Sequence, residues 1–370
     1  SGNSYGFGPN GNLVYGIRET LLGSDKLTWE KSYKTNIGLE MMLWGKLNLT
    51  LDYYWERRKD ILIQRSSLPS MAGFDASIYA NMGEMDNKGV DANLEYQTRI
   101  GNKVGLRLFG NLTYSKNKIV FRDEPAMQYA YQKSEGTRYG EFYGYIAEGY
   151  FQSEEEIKKS PRQMRELAPG DIKYKDLNDD GVIDANDQCY LGKSWFPSWS
   201  YGMGFNINYH NFDLALFFQG VSDVSIMANG GSIDTGNGDW GASGVGIVPF
   251  TGMGLNPSNV ITKALDRWTA DNPRADAWYP RMTANATTND NNYVNSTHWL
   301  KDGSYLRLKQ ASLGYTLENK KLMDKGIEYL YFYLSGQNLL TFSKFKLWDP
   351  ELGSNGAKYP LSRMVTLGMR

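Results

Sequence analysis

A strictly alternating stretch, residues 198–219, constrains the fold of this chain more than any other feature. Its first half carries large apolar side chains at every second position: Trp199, Tyr201, Met203, Phe205, Ile207 and Tyr209. After a turn near His210-Asn211, the alternation resumes through Phe218. A period of two predicts a β-hairpin with one apolar and one hydrophilic face. Because the hydrophilic face carries Gly and Asn rather than Lys and Glu, the pattern favours lipid on one side and a filled or watery lumen on the other.

Composition excludes several classes of protein. No apolar run approaches the roughly 20 residues that a membrane-spanning helix needs. The absence of such runs does not argue against a membrane β-barrel, because only every second residue of its strands faces lipid. The net charge of -1 argues against a nucleic-acid partner held by a basic field. The single cysteine, Cys189, excludes an internal disulfide framework.

About nine strands of the same kind can be predicted along the chain. Their approximate bounds are 27–42, 47–64, 88–98, 104–114, 198–209, 212–219, 304–317, 329–342 and 361–370. Short and long connections alternate between them, with long insertions at 122–196 and 228–301 that we expect to be extracellular loops. This alternation is typical of an antiparallel up-and-down transmembrane β-barrel. An odd number of strands does not close a bacterial barrel, so we expect an all-β chain that forms the C-terminal part of a larger barrel.

Local signals predict three smaller features. Ser153 and Glu156 have the spacing of a capping box, which predicts a short helix after Ser153. A second helix is predicted near 260–269. The apolar phase of the strand 304–317 slips near Gln310-Ala311, which predicts a β-bulge there.

Several segments resemble one family. The run 169–187, PGDIKYKDLNDDGVIDAND, resembles a segment typical of SusC-like (SusC/RagA-type) TonB-dependent transporters of Bacteroidetes. The hairpin at 200–220 resembles the segment that follows it in that family. Further resemblances, in the family's order, are LTWEK at 27–31, NKGV at 87–90, DGSYLRL at 302–308 and GQNL at 336–339. Together they span almost the whole chain.

The resemblance implies a 22-stranded barrel in the outer membrane of a Gram-negative bacterium, with its lumen closed by an N-terminal plug. Residues 1–370 would be the C-terminal portion of that barrel, and the plug would lie outside them. Import would be driven by TonB, with a SusD-like surface lipoprotein as a lid and two transporter–lipoprotein pairs forming a dimer. The cargo would be an oligosaccharide or an oligopeptide.

An acidic loop carries the clearest chemical signal. Asp176, Asn178 and Asp180 occupy positions one, three and five of an EF-hand-type loop, and Gly181 occupies the position of its sharp turn. Hard oxygen ligands at alternate positions let a short loop wrap a Ca²⁺ ion. The predicted ligands of this structural calcium site are Asp176, Asn178, Asp180, Val182 through its carbonyl, Asp184 and Asp187. The alternative is a metal-free turn rich in Asp and Asn, and Asp rather than Glu at position twelve departs from the motif.

Catalysis is not predicted. His210 and His298 are far apart in sequence and have no Ser, Cys or acidic residue at a catalytic spacing. Six aromatic residues of the insertions either contact cargo or the lid, or pack within the loops: Tyr139, Phe142, Tyr143, Trp240, Trp278 and Tyr279. Active import is therefore the predicted function, a passive porin is the alternative, and an outer-membrane barrel enzyme is disfavoured.

Overall fold

The structure is a computed structural model that describes residues 4–7, 12–15, 21–22, 27–67, 77–101, 103–229, 261–282, 291–319, 323–324, 326–356 and 358–370. Within these residues no helix is long and apolar enough to cross a membrane. The strands are β1 (Ser4–Phe7), β2 (Asn12–Tyr15), β3 (Leu21–Leu22), β4 (Lys31–Leu43), β5 (Leu47–Gln64), β6 (Ser77–Ile100), β7 (Val104–Phe121), β8 (Glu141–Gly144), β9 (Ala147–Tyr150), β10 (Ile172–Tyr174), β11 (Cys189–Ser194), β12 (Trp199–Tyr209), β13 (Phe212–Ser222), β14 (Ser225–Met227), β15 (Leu300–Asp302), β16 (Tyr305–Leu317), β17 (Leu330–Ser343) and β18 (Met364–Met369). The α-helix α1 spans Glu154–Lys159.

One large sheet organises the chain. Its order is β18-β17-β16-β13-β12-β7-β6-β5-β4, each strand is antiparallel to its neighbours, and β3 pairs in parallel with β6 outside this path. The small strands of the insertions pair as β8 with β11, β9 with β10, and β14 with β15, and β1 pairs with β2. Long strands that neighbour in sequence also neighbour in the sheet, so the predicted up-and-down order is confirmed.

The register aligns the apolar stripes of neighbouring strands. Phe205 of β12 lies opposite Leu108 of β7 and Leu216 of β13, and the same register continues along both pairs. Directly opposed residues of antiparallel strands point to the same face, so the stripes join into a continuous apolar surface. Ile37 and Leu367 lie on this apolar surface near opposite edges of the sheet, and their side chains are 68% and 80% exposed. An apolar surface of this extent requires an apolar neighbour such as lipid.

The connections lie alternately at the two ends of the strands, because each strand reverses the direction of the one before it. The connections at 44–46, 101–103 and 210–211 are short and lie at one end, whereas 122–198 and 223–304 are long and lie at the other. In the shortest turn His210 adopts a φ of +52°, a left-handed conformation that tight hairpin turns require.

The predicted start of one strand was wrong, because β6 begins at Ser77 rather than near residue 88. β7 continues beyond Tyr114, the last residue of its predicted alternation, to Phe121, which directly precedes the insertion predicted to start at residue 122. Residues 77–87 lack a clear apolar alternation, but their backbone extends the ladder with the end of β5. Ion pairs tie this extension together, since Arg57 lies 3.0 Å from Glu84 and 3.5 Å from Asp86. Charged strand extensions of this kind give no apolar period to detect.

The local predictions had mixed outcomes. The helix after Ser153 is confirmed, and the hydroxyl of Ser153 accepts a hydrogen bond from the backbone of Glu156. The β-bulge is confirmed, but it lies at Lys309, one residue before the predicted position. Phe217 pairs with Gln310 and Phe218 pairs with Leu308, so Lys309 has no residue opposite it on β13.

The second predicted helix was wrong. Residues 262–265 form only a 3-10 turn, Thr262–Leu265, and residue 260 lies outside the described residues. The following segment is extended, because Trp268 donates to the carbonyl of Tyr279 and Tyr279 donates to that of Asp266. Pairing with this distant segment replaces the local hydrogen bonds that a helix would need.

Candidate functional site

The long connections pack into one compact unit, here called the loop body, which comprises the described residues of 122–198, 223–304 and 344–356. Most of the buried apolar residues in the described part of the chain lie here rather than in the sheet. Its main core contains Tyr145, Tyr150, Ile172, Tyr174, Ile183, Met227, Ala264, Trp268, Ala277, Tyr279 and Trp299. The loop body therefore has its own hydrophobic core, as expected of a folded unit rather than of loose loops.

A buried ion pair joins the two long insertions. The carboxylate of Asp171, in the first insertion, is fully buried and accepts a 2.9 Å hydrogen bond from Nη2 of Arg281 in the second. Nε of the same guanidinium lies 2.6 Å from the other carboxylate oxygen. Asn292 also donates to Asp171 over 2.7 Å. A buried charge is tolerated only when it is paired and hydrogen-bonded in this way.

Buried side-chain amides continue the contacts between the two insertions along β10. Asn292 accepts a 2.9 Å hydrogen bond from the backbone of Ile172, and Asn291 donates 3.0 Å to the carbonyl of the same residue. Gln163 donates 2.8 Å to Asn291 and accepts 2.7 Å from the backbone of Tyr174. We call Asp171, Arg281, Asn291, Asn292 and Gln163 the loop seam. The sequence alone predicted no role for these five residues, although Asp171 lies within the family-like run 169–187 and Arg281 ends another segment, 267–281, that resembles the same family.

The first half of the predicted calcium loop forms a series of tight turns. Oδ2 of Asp176 accepts from the backbone N–H of Gly181 over 2.8 Å, and Gly181 has a φ of +81°. Asn178 accepts from the N–H of Asp180 over 3.1 Å, and Asp180 accepts from that of Val182 over 2.8 Å. These contacts bring the side chains at positions one, three and five around a single turn, and Gly181 provides the predicted sharp bend.

The second half of this loop is closed by a capping box. Asp187 is fully buried and accepts from the backbone of Leu177 and of Asp184, over 2.8 and 2.9 Å. Asp184 in turn accepts from the backbone of Asn186 over 2.7 Å. Within the described residues no three His, Cys, Asp or Glu side chains form a group that could hold a metal ion. However, Oδ1 of Asp176 is buried and accepts no hydrogen bond from any described residue. This carboxylate oxygen is therefore available as a cation ligand.

The aromatic residues singled out in the insertions lie in different surroundings. Tyr279 is fully buried, and Phe142 and Tyr143 pack edge-on against Trp195 and Tyr190. Tyr139 is 53% exposed and stacks on Phe196. Trp240 lies outside the described residues. Packing within the loops therefore accounts for most of these side chains.

A cavity of about 750 Å³ opens in the loop body between the second insertion and the segment 344–347. Trp278 lies in its wall and also packs against Tyr279 and Trp299 in the main core. Its polar lining is dominated by lysines: Lys263, Lys301, Lys344 and Lys346.

His298 lies next to this cavity wall rather than in a catalytic arrangement. Its Nε2 is 3.3 Å from the hydroxyl of Tyr150 and 3.2 Å from the carbonyl of Trp278. Burial, with a smaller contribution from the charge of Lys301, lowers the pKa of His298 from 6.5 to about 4. His210 lies far away in the β12–β13 turn, so the structure does not bring the two histidines together.

Acidification should therefore loosen the loop body. Between pH 6.5 and 4 the unfolded state binds a proton that the folded state, with its lowered pKa at His298, does not bind. Stability is therefore lost as the pH falls, by up to about 3 kcal/mol for such a shift. Hydrogen exchange of residues 291–302 should increase between pH 7 and 4, after correction for intrinsic exchange, and the increase should be smaller in His298→Asn. An identical pH profile in the two proteins would contradict this role.

The polar face of the sheet is paired and partly filled. Arg107 makes two 3.0 Å hydrogen bonds to Glu95, and Thr113 donates 2.7 Å to Asp91. Phe109 and Phe217 stack on this face with their ring centroids 6.0 Å apart. They lie over two glycines of β12, and a Cβ atom at Gly204 would come within 2.6 Å of the Phe109 ring. The glycines of the alternating hairpin thus make room for aromatic rings.

Comparisons with known proteins agree with this architecture. Residues 2–339 match the profile of the family described as TonB dependent receptor-like, beta-barrel. The chain is 28% identical to TonB-dependent receptor P3 of Formosa agariphila over 96% of its own length and 35% of that protein. It is 23% identical to TonB-dependent receptor SusC of Bacteroides thetaiotaomicron, over 99% of its own length and 34% of SusC.

Solved structures show the same fold. A structure of the RagAB peptide importer in its closed-closed state matches 99% of this chain and 38% of the importer chain, with a TM-score of 0.70 and 23% identity. The chain thus spans about a third of the length of the curated relatives it matches.

Proposed function

Since this chain belongs to the family of TonB-dependent receptor-like β-barrels, we propose that the complete protein actively imports oligomeric nutrients across the outer membrane of a Gram-negative bacterium of the Bacteroidetes. The observation that carries this proposal is the long antiparallel sheet, in which one continuous face is apolar and the other is polar and charge-paired. Such a sheet suits a barrel wall between lipid and a hydrated or plugged interior. Energy would be delivered by TonB.

A SusD-like surface lipoprotein would cover the loop body as a lid, and two transporter–lipoprotein pairs would form a dimer. The resemblance to SusC-like proteins and the fold shared with the RagAB importer support this assembly. The loop body has a preformed core, so it offers a defined surface for a partner. The cargo would be an oligosaccharide or an oligopeptide.

Energy dependence distinguishes this import from passage through a porin. Cells that express the complete protein should accumulate labelled oligosaccharides or oligopeptides, and accumulation should be lost when the proton gradient is dissipated or TonB is deleted. A passive porin would equilibrate the same oligomers in either condition, because diffusion requires no energy input. Entry that persists without TonB would overturn the proposal in favour of a porin.

We further propose that the loop 176–187 holds a structural Ca²⁺ ion, through the residues predicted from the sequence. The turns around Gly181 and the unpartnered, buried Oδ1 of Asp176 support this, although the carboxylates of Asp184 and Asp187 make backbone hydrogen bonds. The ion would stiffen the loop where it contacts Tyr131, whose hydroxyl donates 2.7 Å to the carbonyl of Asn186.

Calorimetry on the complete protein should show Ca²⁺ binding that Asp176→Ala weakens by more than about tenfold, because loss of one hard ligand reduces both charge and coordination. Glu155→Ala is the matched control, since Glu155 is an exposed carboxylate of α1 in the same insertion. The absence of Ca²⁺ binding, or equal affinities for both variants, would contradict the calcium site.

A further inference from the structure

The lysine-rich cavity carries more positive charge than its own carboxylates balance. Four lysines line it, Lys263, Lys301, Lys344 and Lys346, against two aspartates, Asp266 and Asp302. Lys263 is paired, because its Nζ lies 2.7 Å from Asp266, and Arg274 also lies 3.3 Å from the same aspartate. The other three lysines make no salt bridge with any residue that the structure describes. The cavity is therefore electropositive.

Lys301 is held inside this cavity. Its Nζ donates 2.7 Å to the carbonyl of His298 and lies 5.2 Å from the ring centroid of Trp278. Burial, with a smaller contribution from the charge of Lys263, lowers the pKa of Lys301 to about 8. A lowered lysine pKa shows that the site disfavours uncompensated positive charge, and a bound anion would relieve this. Lys344 and Lys346, by contrast, are exposed and extend from the rim.

Most of the remaining lining is apolar. Ile261, Leu265, Phe345 and Leu347 contribute to it, and Leu265 is 77% exposed. The ammonium of Lys301 lies over one face of Trp278, so that face is already occupied by a cation and is not free to stack on a sugar ring. Aliphatic walls with a few convergent lysines suit an apolar side chain next to an anionic group. The volume also lies within the roughly 300–1,000 Å³ typical of ligand pockets.

We propose that this cavity is a subsite for acidic oligopeptides, in which Lys301, Lys344 and Lys346 bind a carboxylate and the aliphatic wall receives a neighbouring apolar side chain. This inference rests on the proposed import function and specifies its cargo. Residues 344–347 and 261–266 come from different connections, so the subsite forms only when both connections pack as they do in the loop body.

Binding of matched peptides to the complete receptor tests the subsite. The probes are a blocked hexapeptide of alternating leucine and glutamate and the same peptide with glutamine. The unmodified protein should bind the glutamate peptide about three- to tenfold more tightly at low salt, as expected for two or three solvated ion pairs. Lys344→Gln/Lys346→Gln should reduce this preference to less than half of its value. The control Lys158→Gln/Lys159→Gln, on exposed α1, should retain it.

Equal affinity for the two peptides, or a preference that survives in the rim variant, would overturn the inference. Lysine-dependent binding of an oligouronide that is tighter than that of the glutamate peptide would also overturn it, in favour of an acidic glycan. Uptake of the two peptides by cells distinguishes failure of the proposed subsite from failure of the proposed import function. If both peptides enter cells equally in a TonB-dependent manner, import stands and the subsite falls, whereas TonB-independent entry would remove the import function itself.

Discussion

Replacing Asp171 with alanine should separate the two long insertions while the barrel wall stays folded. The substitution leaves the guanidinium of Arg281 partly buried without its partner and also removes the acceptor of Asn292. Breaking one side of a buried ion pair costs about 3–5 kcal/mol. A loss of about 3 kcal/mol corresponds to about a hundredfold increase in local opening. Hydrogen exchange of residues 168–175 and 279–282 in the complete receptor should increase by about this factor.

Asp276→Ala is the matched control, because it removes a carboxylate from the second insertion, which also contains Arg281. Asp276 pairs with Arg274 over 3.0 Å, but its side chain is 81% exposed. Solvated pairs of this kind contribute little to stability, so exchange at the loop seam should hardly change. If Asp171→Ala and Asp276→Ala had equal effects, the loop seam would not hold the insertions together.

Asp349→Ala should release the segment 344–356 from the barrel. Arg307 of β16 has a side chain that is only 2% exposed, and its Nη2 donates 2.7 Å to Asp349. Asp349 also accepts from the backbone of Glu351 at the start of the 3-10 turn Pro350–Leu352. The substitution therefore leaves a buried guanidinium without its closest partner and removes a cap. We expect a loss of about 3 kcal/mol and correspondingly faster proteolysis within 344–356.

Glu351→Gln provides the comparison, since Glu351 lies farther from Arg307, at 3.6 Å, and its side chain is 27% exposed. Its effect on proteolysis should be several times smaller, because a longer and more solvated pair contributes less. Rapid proteolysis in Glu351→Gln together with an unchanged rate in Asp349→Ala would contradict the assigned role of Asp349.

The sheet could be predicted from the sequence because each strand carries its own periodic signal. The alternation from Trp199 to Tyr209 predicted both the strand and its apolar face. The register with β7 and β13 confirmed the strand and showed that its apolar residues lie opposite apolar residues of both neighbours. Strand ends that rely on charge pairs, such as the start of β6 at Ser77, carried no such signal. The glycines of β12 were recognised as small, but their contacts with Phe109 and Phe217 depend on neighbouring strands.

The loop seam could not be predicted, because its partners are far apart in sequence and have no periodic pattern. Asp171 and Arg281 meet only when both insertions have folded. Arg307 lies at an ordinary inward strand position, and only the structure shows that Asp349 and Glu351 approach it. The spacing of the Asp and Asn residues in 176–187 did predict the turns around Gly181, because the hydrogen bonds of these turns join residues close in sequence. The calcium ion itself stays a prediction.

This chain forms the wall of a membrane barrel, with one face of its sheet towards lipid. Spin labels at single cysteines along β12 of the complete receptor in lipid vesicles test it most directly, because the chain's own Cys189 is buried. Labels at positions 203, 205 and 207 should be accessible to oxygen in the lipid and shielded from a water-soluble relaxation agent, whereas labels at 206 and 208 should show less lipid contact. Equal accessibility at all five positions, or lipid contact at 206 and 208 instead, would contradict the assignment of this sheet to a barrel wall.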